Sequence, residues 1–371
     1  VGDGEAPLKT SVAPGPEQET SFADGSEASL TAFNVGGHAR LAWRVVVEKD
    51  STHVYHMVVD AQTGKVLFRQ SLVEYASGLA WDYFPGQNTI INNPEYGADP
   101  LSNGGQQTAR SLDAWLSPGA TTLTGPNTHV YSDTLDDNTP DAGDEIPQSG
   151  GGNWSYPFTT FNGFFGNCST TFVCSWDSFT ANSWQTNLEQ NAVQVFYYVN
   201  TFHDYLKNDP NIGFTPAAGN FEGTDPVQAQ VLDGADTGGG FPDSNHANNA
   251  NMSTREDGQP PRMQMYLFGG NGFLDANGGD DASVIYHEYV HGLSNRLVTD
   301  AAGFPALRSA QARSMGEAWS DYYAMDYLTL KGYVKDTAKS GEVWEGIYLT
   351  AGLPFRTMAI DCAVGATTPN C

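Results

Sequence analysis

The chain has 371 residues, a formal net charge of −26 and a sequence pI of about 4.3. That balance excludes a nucleic-acid partner, because a phosphate backbone repels such a surface. No apolar run approaches the roughly 18 residues needed to cross a bilayer, so no membrane partner is expected either.

Charged residues make up only 16% of the chain, while Gly, Asn, Ser, Thr and aromatics are abundant, a texture that suits a loop-rich secreted protein. The acidity reads first as a solvated surface. Hard cations favour carboxylate and carbonyl oxygens, so it also makes Ca2+ a candidate cation.

Residues 1 to about 30, rich in Gly, Pro, Ser, Thr and acids, predict a flexible lead-in. Ala39–Glu48, Thr52–Asp60 and Lys65–Gln70 then read as three short strands, the last two joined by the turn Ala61-Gln62-Thr63-Gly64. Such a meander is too small to hold a pocket, and its His53 and His56, on opposite strand faces, read as structural. From about Tyr75 the texture changes to aromatic- and Asn/Gly-rich segments, with short strands expected at Gly78–Phe84, Gln228–Leu232 and Arg262–Phe268. Helices are expected at Leu188–Lys207, Ser283–Leu297 and Gln311–Leu330. Strands first and helices later argue for an α+β catalytic unit whose site lies where sheet meets helices. Cys168 with Cys174 and Cys362 with Cys371 are spaced for two local disulfides and hence an oxidising, extracellular compartment. The chain begins at Val1, which reads as a trimmed or incomplete start.

The second of those helices carries the chemistry. In HEYVH, residues 287–291, His287 and His291 project from one helix face about a turn apart, so two imidazoles can reach one metal ion. Glu288 lies about 100° round from His287, placed to act as base on a water that the metal activates, without itself being a ligand. The alternative is an ordinary helix with two hydrogen-bonded histidines. A histidine six residues further on would mark the metzincin pattern, but that position is Leu297. A carboxylate from the next helix remains: Glu317 and Asp321 share a face, so one can bind metal while the other receives a histidine N–H, with Glu317 the candidate ligand. His203 and His246 lack a carboxylate pattern in the sequence and read as core or surface residues, and His129 as structural.

HEYVHGLSNRL (287–297) followed by GEAWSD (316–321) resembles the fungalysin family of secreted zinc metallopeptidases, relatives of thermolysin. LTGPNTHVYSDTLDDN (123–138), FYYVNTFHDYL (196–206) and NNANMSTREDGQPPRMQMYLF (248–268) match the same family, and the likeness runs from about residue 75 to the end. The resemblance implies a thermolysin-like catalytic unit over 76–371, zinc on His287, His291 and Glu317, Glu288 as general base, and Asp321 orienting the first histidine. It also implies Asn249 and Ala250 as substrate-binding positions on an edge strand, where an extended peptide can add through main-chain hydrogen bonds. Residues 31–75 resemble the end of the family's propeptide, which implies a proenzyme with an inhibitory segment cleaved around Tyr75 to Gly78. The expected activity is endopeptidase action on protein or peptide substrates. An extracellular binding or inhibitory module stabilised by zinc or calcium, and an aminopeptidase with the same ligands, are the rival readings.

Two departures stand out. Thermolysin-like enzymes use a later histidine for the oxyanion, but none follows His291 here, and the expectation is a C-terminally shortened catalytic domain. Gly316 stands where thermolysin has an amide that orients the second histidine.

Overall fold

The computed structural model describes residues 9–50, 53–71, 76–86, 107–162, 168–169, 171–367 and 370–371. The chain divides into two compact units, Val1–Tyr75 and Ala76–Cys371. No helix among the described residues is long and apolar enough to cross a membrane.

In the first unit six strands form an antiparallel sheet in chain order: β1 (Lys9–Val12), β2 (Thr20–Phe22), β3 (Glu27–Val35), β4 (His38–Asp50), β5 (His53–Asp60) and β6 (Val66–Ser71). The expected meander is therefore the second half of a larger sheet, and strands occupy much of the stretch read as a flexible lead-in. Composition misled there because β1 is exposed along its whole length. Its order comes from backbone pairing with β2, which leaves no hydrophobic trace. The β3–β4 hairpin did leave one: Val35 pairs with His38 across Gly36-Gly37, both at positive φ, as a two-residue turn requires. His56 packs edge-on against Phe68, and the side chain of His53 lies outside the described residues, as does Tyr75.

The second unit mixes sheets and helices. Its main sheet has the order β11-β12-β10-β9, built from β9 (Thr128–Ser132), β10 (Val227–Val231), β11 (Ala250–Ser253) and β12 (Arg262–Met265). β10 runs parallel to both β9 and β12, and β11 pairs antiparallel on β12 as an edge. Two further antiparallel pairs are β7 (Ser77–Ala80) with β8 (Thr108–Ser111), and β13 (Leu267–Gly270) with β14 (Phe273–Asn277). Arg262–Phe268, read as one strand, thus splits at Tyr266 into members of two sheets, and only the start of Gly78–Phe84 is strand.

Three helices close the core: α1 (Leu188–Asn208), α2 (Ala282–Leu297) and α3 (Ala310–Leu330). Val193, Val195, Phe196, Tyr198, Val199 and Phe202 of α1 are wholly buried. Phe202 stacks on Tyr286 of α2 at 4.5 Å, while Tyr327 of α3 meets Tyr286 edge-on at 5.2 Å. These rings lock the three helices through aromatic geometry as well as buried area. α2 starts where Asp281 accepts from the Ser283 N–H at 3.0 Å, an N-cap that fixes the helix phase. It is buried on nearly every face, as expected of a helix running through a core. Gly292 lets β11 lie close: a Cβ there would sit 2.7 Å from the Phe221 ring and 2.8 Å from the Met252 methyl. Disulfides join Cys168 to Cys174 and Cys362 to Cys371.

Candidate active site

The caps and rings that hold α2 and α3 in place also aim their side chains at one point. His287 and His291 present their rings from successive turns of α2, centroids 4.6 Å apart and planes at 84°. Glu317, on the second turn of α3, reaches both: its Oε2 is 3.3 Å from His287 Nε2 and its Oε1 3.5 Å from His291 Nε2. One donor atom from each of the three lies within 4.8 Å of the others. The two imidazoles hold the Glu317 carboxyl well below the ordinary carboxylate range.

Behind His287 stands a second layer. Its Nδ1 lies 2.7 Å from Asp321 Oδ1 and 2.9 Å from Glu345 Oε1. Arg356 grips Asp321 with two bonds, Nε to Oδ2 at 3.0 Å and Nη2 to Oδ1 at 2.7 Å, and reaches Glu345 at 3.2 Å. Burial by itself would lower the His287 imidazole, but Glu345, Asp321 and Glu317 against the ring raise it well above its usual value. Burial raises Glu345, which is 2% exposed, above the ordinary range. Three carboxylates around one buried ring make a place that favours positive charge, and neutral imidazoles with carboxylates are a donor set that suits zinc.

Glu288, buried and adjacent in sequence to His287, keeps one carboxylate oxygen, Oε2, without a hydrogen-bond partner. Burial raises its carboxyl above the usual value. His287, Glu288, His291 and Glu317 share a cavity of about 440 Å³ with Asn249 and Ala250. Ala250 opens β11, the edge of the main sheet, so the cavity is bordered by a strand with one unpaired side. Gly316 faces His291, its notional Cβ 4.0 Å from Nδ1.

All seven residues singled out in the sequence therefore lie at or immediately behind one cavity. Glu345 and Arg356 escaped the sequence reading because they belong to no motif and follow α3 in irregular chain. The one local signal was an acid in an otherwise apolar run, Val343-Trp344-Glu345-Gly346-Ile347-Tyr348-Leu349. His129 and His203 behave as structural residues, His129 against Glu145 at 2.9 Å and His203, 2% exposed, against Asp204. Like His203, which also has Glu222 at 3.7 Å, His246 lies against two carboxylates that the sequence did not announce, Asp136 and Asp243. They come from a distant strand end and from three residues back, and only the fold brings the first of them near.

Comparison with known proteins agrees with this geometry. Residues 84–351 match the family model of the fungalysin metallopeptidases (M36). Extracellular metalloproteinase 1 of Phaeosphaeria nodorum is 30% identical over 302 residues, covering 78% of this chain and 42% of that protein. Extracellular metalloproteinase mep of Aspergillus fumigatus is 29% identical over 302 residues, 78% of this chain and 41% of its own length. Extracellular metalloproteinase 2 of Arthroderma gypseum is 29% identical over 336 residues, 86% and 46% respectively. The chain spans less than half the length of each of these relatives, yet the family match takes in both histidines, Glu317 and the buried layer behind them as far as Glu345. On that match the chain belongs to the fungalysin metallopeptidase family.

Proposed function

We propose that the chain is a secreted zinc-dependent endopeptidase, with a thermolysin-like catalytic unit over Ala76–Cys371. The observation that carries this reading is the convergence of His287, His291 and Glu317 within 4.8 Å on the wall of a cavity that Glu288 also lines. Those three would hold the ion, which supplies a Lewis acid for the scissile carbonyl and a lowered pKa for the attacking water. Glu288 takes the proton from that water as its oxygen bonds to the carbonyl carbon. It then delivers the proton to the amide nitrogen as the C–N bond breaks. Asp321 and Glu345 hold the Nδ1 side of His287, leaving Nε2 to face the ligand position, and Arg356 keeps both carboxylates in place. Asn249 and the free edge at Ala250 align an extended peptide as an added strand.

Residues 31–75 of the first unit are, in this reading, the end of an inhibitory propeptide, released by cleavage around Tyr75 to Gly78. The names of the relatives support secretion, as do the two disulfides. The test is cleavage of an unstructured protein such as casein, before and after processing, with chelator and with zinc added back. Cleavage lost to chelator, restored by zinc and absent in Glu288→Gln supports the assignment. Cleavage indifferent to chelator, or equal in the variant, refutes it.

A further inference from the structure

Away from the cavity, a second histidine sits among carboxylates. His246 Nδ1 is 2.8 Å from Asp243 Oδ1, and His246 Nε2 is 3.0 Å from Asp136 Oδ2. Asp233 completes the group: one ligand atom from each of Asp136, Asp233 and His246 lies within 4.8 Å of the others. The backbone brings them together in an orderly way. β9 and β10 are paired in parallel, Ser132 beside Val231, so the chain leaving each strand at that end delivers Asp136 and Asp233 to neighbouring places. His246 arrives from the loop before β11 and lies over Gly234, where a Cβ would be 2.3 Å from the ring.

Asp233 is fully buried, and one of its oxygens accepts from Gln264 Nε2 at 2.6 Å. The other, Oδ1, has no hydrogen-bond partner. A buried, unpartnered carboxylate oxygen is costly unless a cation or a proton meets it. Burial pushes Asp233 up to about 7, so the proton is the competitor to exclude. Among the described residues no lysine or arginine forms an ion pair with Asp136, Asp233 or Asp243, and the imidazole is the partner of two of them. With its Nδ1–H donating to Asp243, the ring would present a deprotonated Nε2 to an ion held between it and Asp136. That is the carboxylate–histidine–metal arrangement in which an outer carboxylate fixes the tautomer. Donors around a tetrahedral zinc ion stand roughly 3.3 Å apart; His246 Nε2 and Asp136 Oδ2 are 3.0 Å apart, and Asp233 brings a ligand atom within 4.8 Å of both.

We propose that Asp136, Asp233 and His246 form a second metal site, which takes a divalent transition ion of the zinc type. The nitrogen donor sets the class, since calcium takes oxygens and zinc accepts imidazole with carboxylate. Its role is structural: the ion ties the loop preceding β11 to the ends of β9 and β10. That loop runs from His246 directly into Asn249 and Ala250, at the border of the cavity.

Metal analysis of the full chain after equilibrium dialysis against zinc chloride tests this without any activity assay. Two zinc ions per chain are expected, falling to one in His291→Ala, to one in Asp233→Asn and His246→Gln, and to none in the double variant His291→Ala with Asp233→Asn. Asp233→Asn mimics the protonated acid and keeps the Gln264 bond, so it should fold. Zinc should still raise the melting temperature of His291→Ala, and Asp243→Ala should weaken the second binding step by about 10–100-fold. A wild-type chain holding one zinc that His291→Ala abolishes overturns the proposal. So does a second equivalent indifferent to Asp233→Asn and His246→Gln, or a melting temperature of His291→Ala that calcium raises and zinc does not. Failure of the active-site assignment looks different: His291→Ala then binds as much zinc as wild type, while Asp233→Asn loses one.

Discussion

The two histidine–carboxylate clusters use the same functional groups and differ in access. At His287, His291 and Glu317 the carboxylate side chain is 56% exposed and the donors face a cavity of about 440 Å³, so a substrate oxygen could reach an ion held by these three residues. At Asp136, Asp233 and His246 one carboxylate, Asp233, is fully buried while Asp136 is 33% and His246 13% exposed, and none of the three lines that cavity. An open position goes with catalysis and a closed one with structure. What separates chemistry from scaffolding here is the space left beside the ligands, and the ligand set alone does not decide it.

The largest effects should fall on the open cluster. Glu288→Gln should lower kcat by about 10²–10⁴-fold while zinc content, read by metal analysis, stays at the wild-type value. If zinc is lost as well, Glu288 is part of the binding site and the division of labour fails. Next come the residues behind His287. Asp321→Asn or Glu345→Gln should weaken zinc binding at the open site by about 10–100-fold and leave the closed site's occupancy unchanged, which competitive chelator titration resolves. Loss at both sites would mean that the two clusters are not independent.

A smaller effect should appear in the pH dependence of folding, at a buried acid that belongs to neither cluster. Asp280 is fully buried, accepts from Gln190 and Asn191, and is pushed up to about 7 by burial. The unfolded carboxyl titrates near 4, so between those values the folded chain holds a proton that the unfolded chain has released. The stability tied to this group is therefore full below about pH 4 and lost as pH rises through about 7. Asp280→Asn should be more stable than wild type at pH 8, by up to about 4 kcal/mol for roughly three pKa units, and no more stable at pH 4. Equal melting at pH 8 would show that the Asp280 charge is compensated, and that Asp233 is the unusual case.

How much of this was legible in the sequence follows from how each part is built. His287, Glu288 and His291 sit within five residues on one helix, so helical geometry alone places them together. Glu317 and Asp321 repeat the same i, i+4 logic one helix later. The helices were legible because their apolar period is long, and Leu188–Asn208 differs from the expected span by one residue. The second cluster was not legible. Asp136 and His246 lie 110 positions apart, and only parallel pairing of β9 with β10 brings Asp233 beside them. Glu345 and Arg356 were missed for a similar reason: irregular chain has no period, so its direction is set by packing. Strand β1 was hidden because polar residues on an exposed edge look like loop, and β2 because three residues are too few to show a period.

Gly292 sits one residue past His291, and its missing methyl group is what allows the Met252 strand and the Phe221 ring to close against that helix. The gap between the wall proposed to hold the metal and the wall proposed to dock the peptide is thus limited by one absent carbon atom. Adding it would change neither the acid–base groups nor the ligands, only the clearance in which a substrate backbone has to lie. Width of cleft and chemistry of cleft are in this way separate adjustments, encoded one turn apart on a single helix.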